Sequence, residues 1–455
     1  VAVSTVSIAP EHSSGYNQII YEVSSDNTSQ ANFNFVIDTY IGGVKVNRQL
    51  YPKQPGSTNI KFDASNVVRN YLQSDFFNAS AFFSYNTNSQ TSYFLQVGEA
   101  YDDASGILTI YPDLTRIPTS GQYRAYNSVF DFEAFNKFSF MRLDVASGFF
   151  LQDTSARSYV RSGQRKVLTY FDPAVNFSAL LANGQPTITV IGDLPPNLLV
   201  NQFLSGTGIP IGAYITNVNP TTKVITMSAN ATTTGAETIT RDRQVTGCKV
   251  KQYDSSNNLL DTNTQSISYT GSTYVYNIAP QLISGFSLNP NTAYYVTELY
   301  YTIGLIDVTL ASYTTYIDDS CSNFDVYRLH WLNQYGGWEA FNFNKLSVPS
   351  VEVNRKQYKK FQALDYSPLD RLKTNYNTEI VDTVRLNSDW ITDEQATWLE
   401  SLFLSPVIWL ELNGEFTAVQ LSDTNYEVRE YLNGRTLHNI TCNMQYSYNR
   451  YRQSL

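Results

Sequence analysis

Short runs of alternating apolar and polar residues, cut by turn clusters, recur along most of this chain. In "NFNFVIDTYI" (Asn32–Ile41), Phe33, Phe35, Ile37 and Ile41 fall on one side and Asn34 and Asp38 on the other. A period of two is that of a strand with one face in a core. "QIIYEVSSDNTSQA" before it reads as a strand and a turn. "STNIKFDASNVVRNYLQ" gives a strand and a short helix, with Asp63 or Ser65 as the expected N-cap. "SYFLQVGEAYDDASG" adds a strand and an acidic turn. Short strands at this spacing predict a β-sandwich over residues 1–115.

The texture returns in "CKVKQYDSSNNLLDTNTQSISY" (Cys248–Tyr269) and "FSLNPNTAYYVTELYYTI" (Phe286–Ile303). The "NPNTAYYV" of the second resembles the sixth strand of fibronectin type III and related immunoglobulin-like domains. The resemblance implies two fibronectin-like sandwiches, one N-terminal and one central, and a tyrosine bonded to a nearby backbone corner. The central unit is expected from 116–182 and 242–317. Residues 183–241 have almost no charge and are built of Thr, Gly, Pro, Val and Ile. They read as an inserted β-module. Its "SGTGIPIGAYITNVNPTTKVITMSANAT" (Ser205–Thr232) resembles a small β-module of bacteriophage tail fibres, with Gly206, Gly208 and Pro210 shaping turns.

"LHWLNQYGGWEAFNF" (Leu329–Phe343) holds a histidine, two tryptophans, a Gly-Gly pair and Glu339. It reads as a strand entering a turn at Gly336–Gly337, inside an aromatic connector at 318–380. Trp331 and Trp338 are expected to pack, and His330 to do no chemistry. A C-terminal strand–helix–strand module follows at 381–455. Its helix is expected from about Thr392 to Leu404, with Thr392 and Gln395 as a capping box. Trp398, Leu399, Leu402 and Phe403 line its apolar side, and Asn413–Gly414 and Asn433–Gly434 mark hairpins. The expected fold class is therefore all-β and multi-domain: fibronectin/Ig-like β-sandwiches, an inserted small β-module, and a C-terminal β-domain with one covering helix.

Composition sharpens the picture. Only 16% of the 455 residues are charged, against the usual quarter, while 34 are Tyr and 25 Phe. Aromatic and small polar residues suit pleated, half-buried surfaces and turns. With few Lys and Glu, they also suit surfaces that meet other subunits. Net charge is −9, so no basic footprint for nucleic acid is expected. Arg355, Lys356, Lys359 and Lys360 read as a solvated face, or a rim meeting an acidic neighbour. Cys248, Cys321 and Cys442 lie far apart and lack the spacing of a thiolate metal site. No run reaches the ~18 apolar residues that a membrane span needs, and the first residues lack the pattern of a secretory leader.

Candidate chemistry is sparse. His330 has no nucleophile in a known setting, and the spacing of His12, His330 and His438 supports no zinc site. Acid pairs occur at Asp102–Asp103, Asp318–Asp319 and Asp423 with Glu427. A glycosidase needs two carboxylates about 5–10 Å apart, which sequence cannot display. "YDDASG" lacks a complete calcium-loop spacing and reads as a turn. There is no phosphate loop, dinucleotide fingerprint or metal-protease helix. No catalytic, cofactor-binding or metal residue is therefore expected, and no cofactor.

The order of units, with "LNSDWITDEQATWLESLFLSP" near the end, resembles virion structural proteins of tailed phages, of tail-tip or baseplate type. The resemblance implies a non-enzymatic building block, made in the host cytoplasm and residing in the virion. Its implied partners are other tail proteins, further copies in a ring, and a host-surface glycan or receptor. The ring contact is expected from about Val381 to Leu455. The competing readings are a glycan-binding adhesin and a depolymerase.

Overall fold

The computed structural model describes residues 3–75, 81–129, 150–422 and 439–448, apart from 112, 120, 154–155, 193, 195–197, 199, 201, 242, 270, 272, 304–305, 319, 321–322, 363 and 413. The fold is all-β. Among the described residues, six sheets carry it, and the α-helices are two short ones.

In the N-terminal unit, Val3–Ser7, Ile20–Ser25 and Asn59–Asp63 form one sheet, and a seven-stranded sheet is built round Gln90–Asp102. The two share one core, which includes Tyr21, Phe35, Phe62, Leu95 and Val97. Asn34–Ile41 lies between Gln90–Asp102 and Val44–Pro52, and Phe35 to Thr39 are all buried. The strand is thus covered on both faces, and Asp38 is not on a solvent face as its alternation predicts. Its carboxylate is gripped by Arg48 at 2.6 Å through both oxygens and by Lys45 at 2.9 Å. Burial pushes this carboxyl up, but the hydrogen bonds from Arg48 and Lys45 outweigh it and hold Asp38 below the usual range. The short helix is Ser65–Val68 with Ala64 at its N-cap. Asp63 stands one place earlier and accepts the N–H groups of Ser65 and Ile19, each at 2.9 Å.

Two limits differ from expectation. Thr115–Ile117 and Tyr123–Tyr126 pair with Gln90–Asp102, so the N-terminal sheet continues past residue 115. Conversely, Phe83–Tyr85 leaves its neighbours in sequence and pairs with Val275–Ile278. That strand completes the smaller central sheet, beside Leu168–Phe171. The larger central sheet runs Ser158–Val160, Ile306–Ile317, Tyr294–Ile303, Gly247–Tyr253, Leu259–Ser266. Tyr170, Val250, Tyr276, Leu299 and Tyr313 fill the core between them. The Tyr295 hydroxyl accepts from the Gln281 side chain at 2.6 Å, where the fibronectin resemblance implied a backbone partner.

The Thr/Gly-rich module is a six-stranded sheet with a core of its own, including Phe177, Ile188, Ile215, Ile225 and Ile239. It begins at Val175 rather than Asn183. Its first and last strands are neighbours, with Val175 opposite Arg241, so the chain enters and leaves at one place. Asp172 fastens that neck: its carboxylate accepts the N–H groups of Gln244 and Val245 at 2.9 Å. Gly206 has φ +141°, and a Cβ there would stand 2.7 Å from the Thr238 carbonyl oxygen.

The C-terminal unit is a seven-stranded sheet, in the order Trp338–Phe343, Tyr327–Leu332, Ile408–Leu412, Glu415–Leu421, Thr441–Tyr446, Lys373–Asn387, Val348–Lys359. The expected connector at 318–380 is therefore no connector, because its strands hydrogen-bond into this sheet. The helix is Asp393–Phe403, capped by Thr392 in a capping box with Gln395. Ala396, Trp398, Leu399 and Leu402 face the core. Leu412 and Glu415 close a two-residue hairpin turn containing Gly414, whose φ is +82°. Asn433–Gly434 lies outside the described residues. No helix among the described residues is long and apolar enough to cross a membrane.

Candidate functional site

The stretch Leu329–Phe343 turns out to be the place where three units meet. Trp331 and Trp338 are fully buried. The Trp331 indole donates to Ser401 of the helix at 2.8 Å, and the ring lies 5.0 Å from that of Trp398. The Trp338 indole donates to the Asp75 carbonyl of the N-terminal unit at 3.0 Å. Asn333 donates to the Leu151 carbonyl at 2.8 Å, and the Val129 N–H reaches Gln334 at 2.7 Å. The Gly-Gly pair has a steric cause. A Cβ on Gly336 would stand 2.6 Å from the Asn127 carbonyl oxygen, at a backbone φ of +85°. A Cβ on Gly337 would stand 2.6 Å from that of Leu151. Both obstacles are backbone and cannot swing aside. Gly337→Ala is therefore expected to destabilise the protein by about 1–3 kcal/mol, read as a lower urea midpoint at unchanged slope.

Charged side chains are buried beside this plug. Arg328 donates to the Tyr159 carbonyl at 3.0 Å and to Asn342 at 2.9 Å, and its Nε lies 3.3 Å from Glu411. His330 Nε2 and Glu411 Oε2 are 2.7 Å apart. Burial pushes the imidazole down to about 4, against the pull of the Glu411 hydrogen bond. Near neutral pH the ring is thus uncharged and donates its N–H to the carboxylate. Burial pushes Glu411 up, but the His330 hydrogen bond and the Arg328 charge prevail, and it stays below the ordinary range. Lys166 Nζ donates to Ser158 at 2.9 Å and lies 3.7 Å from Glu339. Burial lowers Lys166 and raises Glu339, each opposed by its partner's charge. Glu339 also accepts from the Asp153 N–H at 2.6 Å and from Asn333 at 3.1 Å. The chemistry such a set performs is joining: it ties the C-terminal sheet to the central unit through groups that water does not reach.

The other candidates are dispersed. His12 is expected in a loop but lies in a strand, buried, with Nδ1 2.7 Å from the Tyr126 hydroxyl. Burial and the Arg124 charge push it down to about 3. His438, Asp319, Cys321, Asp423 and Glu427 lie outside the described residues. Asp103 builds its turn by accepting the N–H groups of Ser105 and Ile107, at 2.8 and 3.0 Å. Asp318 pairs with Arg161 at 2.9 Å. Cys248 and Cys442 are buried. Among the described residues, no three His, Cys, Asp or Glu side chains stand close enough to share a metal ion.

The exposed counterpart of the junction is an arm. Val348–Lys359 and Lys373–Asn387 form a long hairpin at the edge of the C-terminal sheet. Among the described residues, only Thr383–Asn387 of its second strand is also paired on the other side, to Thr441–Gln445. Among the described residues, Lys373–Asp382 is thus paired on one side only, over roughly 30 Å at ~3.3 Å per residue. All twelve residues of Val348–Lys359 are exposed, including Val351, Val353 and Tyr358. Tyr376 is exposed on the second strand. Arg355, Lys356, Lys359 and Lys360 lie on this arm, and Lys356 pairs across it with Glu379 at 2.8 Å. A two-stranded ribbon is marginal in water by itself, and exposed ion pairs add little. The contact region expected at Val381–Leu455 overlaps this arm over Val381–Asn387. Its helix is turned to the core, and the strands at both edges of the sheet come from earlier in the chain.

The sequence analysis missed Lys166, Arg328, Glu411 and the arm. The available signal was a lone charge inside an apolar run, as in "VYRLHWL" and "VIWLELNG". In comparisons with known proteins, no family model matches this chain and no curated protein matches it.

Proposed function

We propose that this chain is a structural, non-enzymatic building block of a tailed-phage virion, assembling in the tail tip or baseplate with further copies of itself and with neighbouring tail proteins. The observation that carries the assembly reading is the arm. It exposes a full strand on both faces, with valines and tyrosines that a lone protein gains nothing by wetting. An edge strand of this length is a liability unless another chain covers it. The buried junction supports the same reading, since a part that transmits load needs its units locked together. The tail location rests on the resemblance of the layout and of Ser205–Thr232. Averaged images of particles carrying this chain should show several symmetry-related copies round the tail axis. Single copies at scattered positions would refute the proposal.

A glycan-binding reading has one specific support. Trp390 is 63% exposed and borders a cleft of about 240 Å3 that is also lined by Tyr159, Asp318, Asn344 and Asp389. An exposed indole beside carboxylate and amide groups suits a sugar ring. Binding of the full chain to an array of immobilised saccharides, lost in Trp390→Ala, would favour it.

A further inference from the structure

We infer that the tip of the arm inserts into the apolar groove between the N-terminal unit and the C-terminal sheet of a second copy of this chain. The inference rests on the assembly reading and deepens it by naming both surfaces. The tip joins the two arm strands, and there Phe361, Leu364 and Leu369 are 94%, 105% and 90% exposed. Three large apolar side chains at the end of a projecting ribbon touch almost nothing of their own chain. The groove has a volume of about 610 Å3 and is lined by Tyr16 and Leu72 on one side, and by Leu332, Leu404, Pro406 and Val407 on the other. Leu404, just past the helix, is 76% exposed.

Charge selects the partner. Between Asn354 and Asn377 there are six Lys or Arg against two Asp, while the rest of the chain has 25 basic and 38 acidic residues. A basic tip on an acidic body attracts another such body. Lys359, Lys360, Arg371 and Lys373 flank the apolar tip, and the exposed Glu400 precedes the lining residue Ser401. Tip and groove are different surfaces, so the contact is head-to-tail and closes into a ring when the rotation between copies permits.

The test uses the full chain with Cys321→Ser, leaving Cys248 and Cys442, which are buried. Two proteins, one with Leu364→Cys and one with Leu404→Cys, are mixed at high concentration and oxidised. A disulfide needs the two Cα atoms within about 7 Å. The expected result is a mixed dimer linking 364 to 404, with neither protein cross-linking alone. Leu364→Asp and Leu404→Asp alter exposed positions, and each should shift the sedimenting species to monomer with the fold intact by circular dichroism. Oligomers that persist in both Asp variants and give no mixed cross-link would overturn this inference and leave the assembly reading standing. A full chain that stays monomeric at every concentration would overturn both.

Discussion

Glu411→Gln is expected to lower the unfolding free energy by about 3–5 kcal/mol, more than most single substitutions. Glu411 is the carboxylate to which both Arg328 and His330 turn, at 3.3 and 2.7 Å, and all three are buried. Gln keeps the size and removes the charge. Arg328 is then left in the interior without its counter-ion, which is the expensive state. Replacing both charges with apolar groups of similar volume removes the orphan, so Arg328→Met with Glu411→Leu should recover most of the loss. Urea unfolding followed by tryptophan fluorescence reads the right region, because Trp331, Trp338 and Trp409 all lie in this sheet. A single variant within 1 kcal/mol of wild type, at the level of exposed pairs, would show that water reaches the network.

As pH falls from 6.5 to 4.5, the two buried histidines should cost the protein about 4 kcal/mol of stability. His12 and His330 have folded values lowered to about 3 and about 4 from an unfolded 6.5. Below pH 6.5 the unfolded chain binds two protons that the folded chain refuses, so their contribution is full above 6.5 and lost as pH falls. Glu339 has the opposite sign. Burial raises its folded value, so within the same window the folded chain binds a proton that the unfolded chain does not. Each histidine contributes up to ~1.4 kcal/mol per pH unit, and the raised carboxyls of Asp172 and Glu11 oppose them in the same sense as Glu339. Below 4.5 Glu339 no longer compensates, and Glu411, held below its ordinary range, begins to lose its contribution as well. The fall should then steepen. Stability measured by urea titration at a series of pH values tests this. With both histidines replaced by Gln, the slope between 6.5 and 4.5 should reverse, because Glu339 then acts without opposition. An unchanged slope would place the titration elsewhere.

Local signals were the ones that sequence carried well. The helix at Asp393–Phe403 was legible because a cap, a capping box and an apolar stripe all lie within a dozen positions of the chain. The Gly414 hairpin was legible for the same reason. Partnership across the chain was not. Asp38 alternates like a solvent-facing residue, and only its burial between two neighbouring strands reveals that it points into a pocket of cations. Likewise nothing in "RLHWL" shows that Arg328 and His330 will meet Glu411, far along the sequence. The Gly-Gly pair of the aromatic stretch reads from sequence as a turn and no more. Its reason is steric and depends on two carbonyl groups from elsewhere, those of Asn127 and Leu151. Sequence alone does not set the arm apart, because Val351, Glu352 and Val353 read as part of a half-buried strand. What sets it apart is that its first strand is exposed along its whole length.

The strand Phe83–Tyr85, lent to the central sheet, has a consequence for synthesis. Its partner Val275–Ile278 is made long after it, and the whole Thr/Gly-rich module comes between them. At ~5–20 residues per second, the ribosome needs roughly 10–40 s to supply that partner. Throughout that interval Phe83 and Tyr85 wait on a nascent chain whose first unit can already close, as an open edge beside folded protein. A β-rich chain in that position is prone to pair with the wrong neighbour. The intervening module can fold while the edge waits, because its core is its own and its two ends meet. As it folds, it draws the two ends of a long separation together, and the loop that Tyr85 must close to find Tyr276 becomes shorter than the sequence between them.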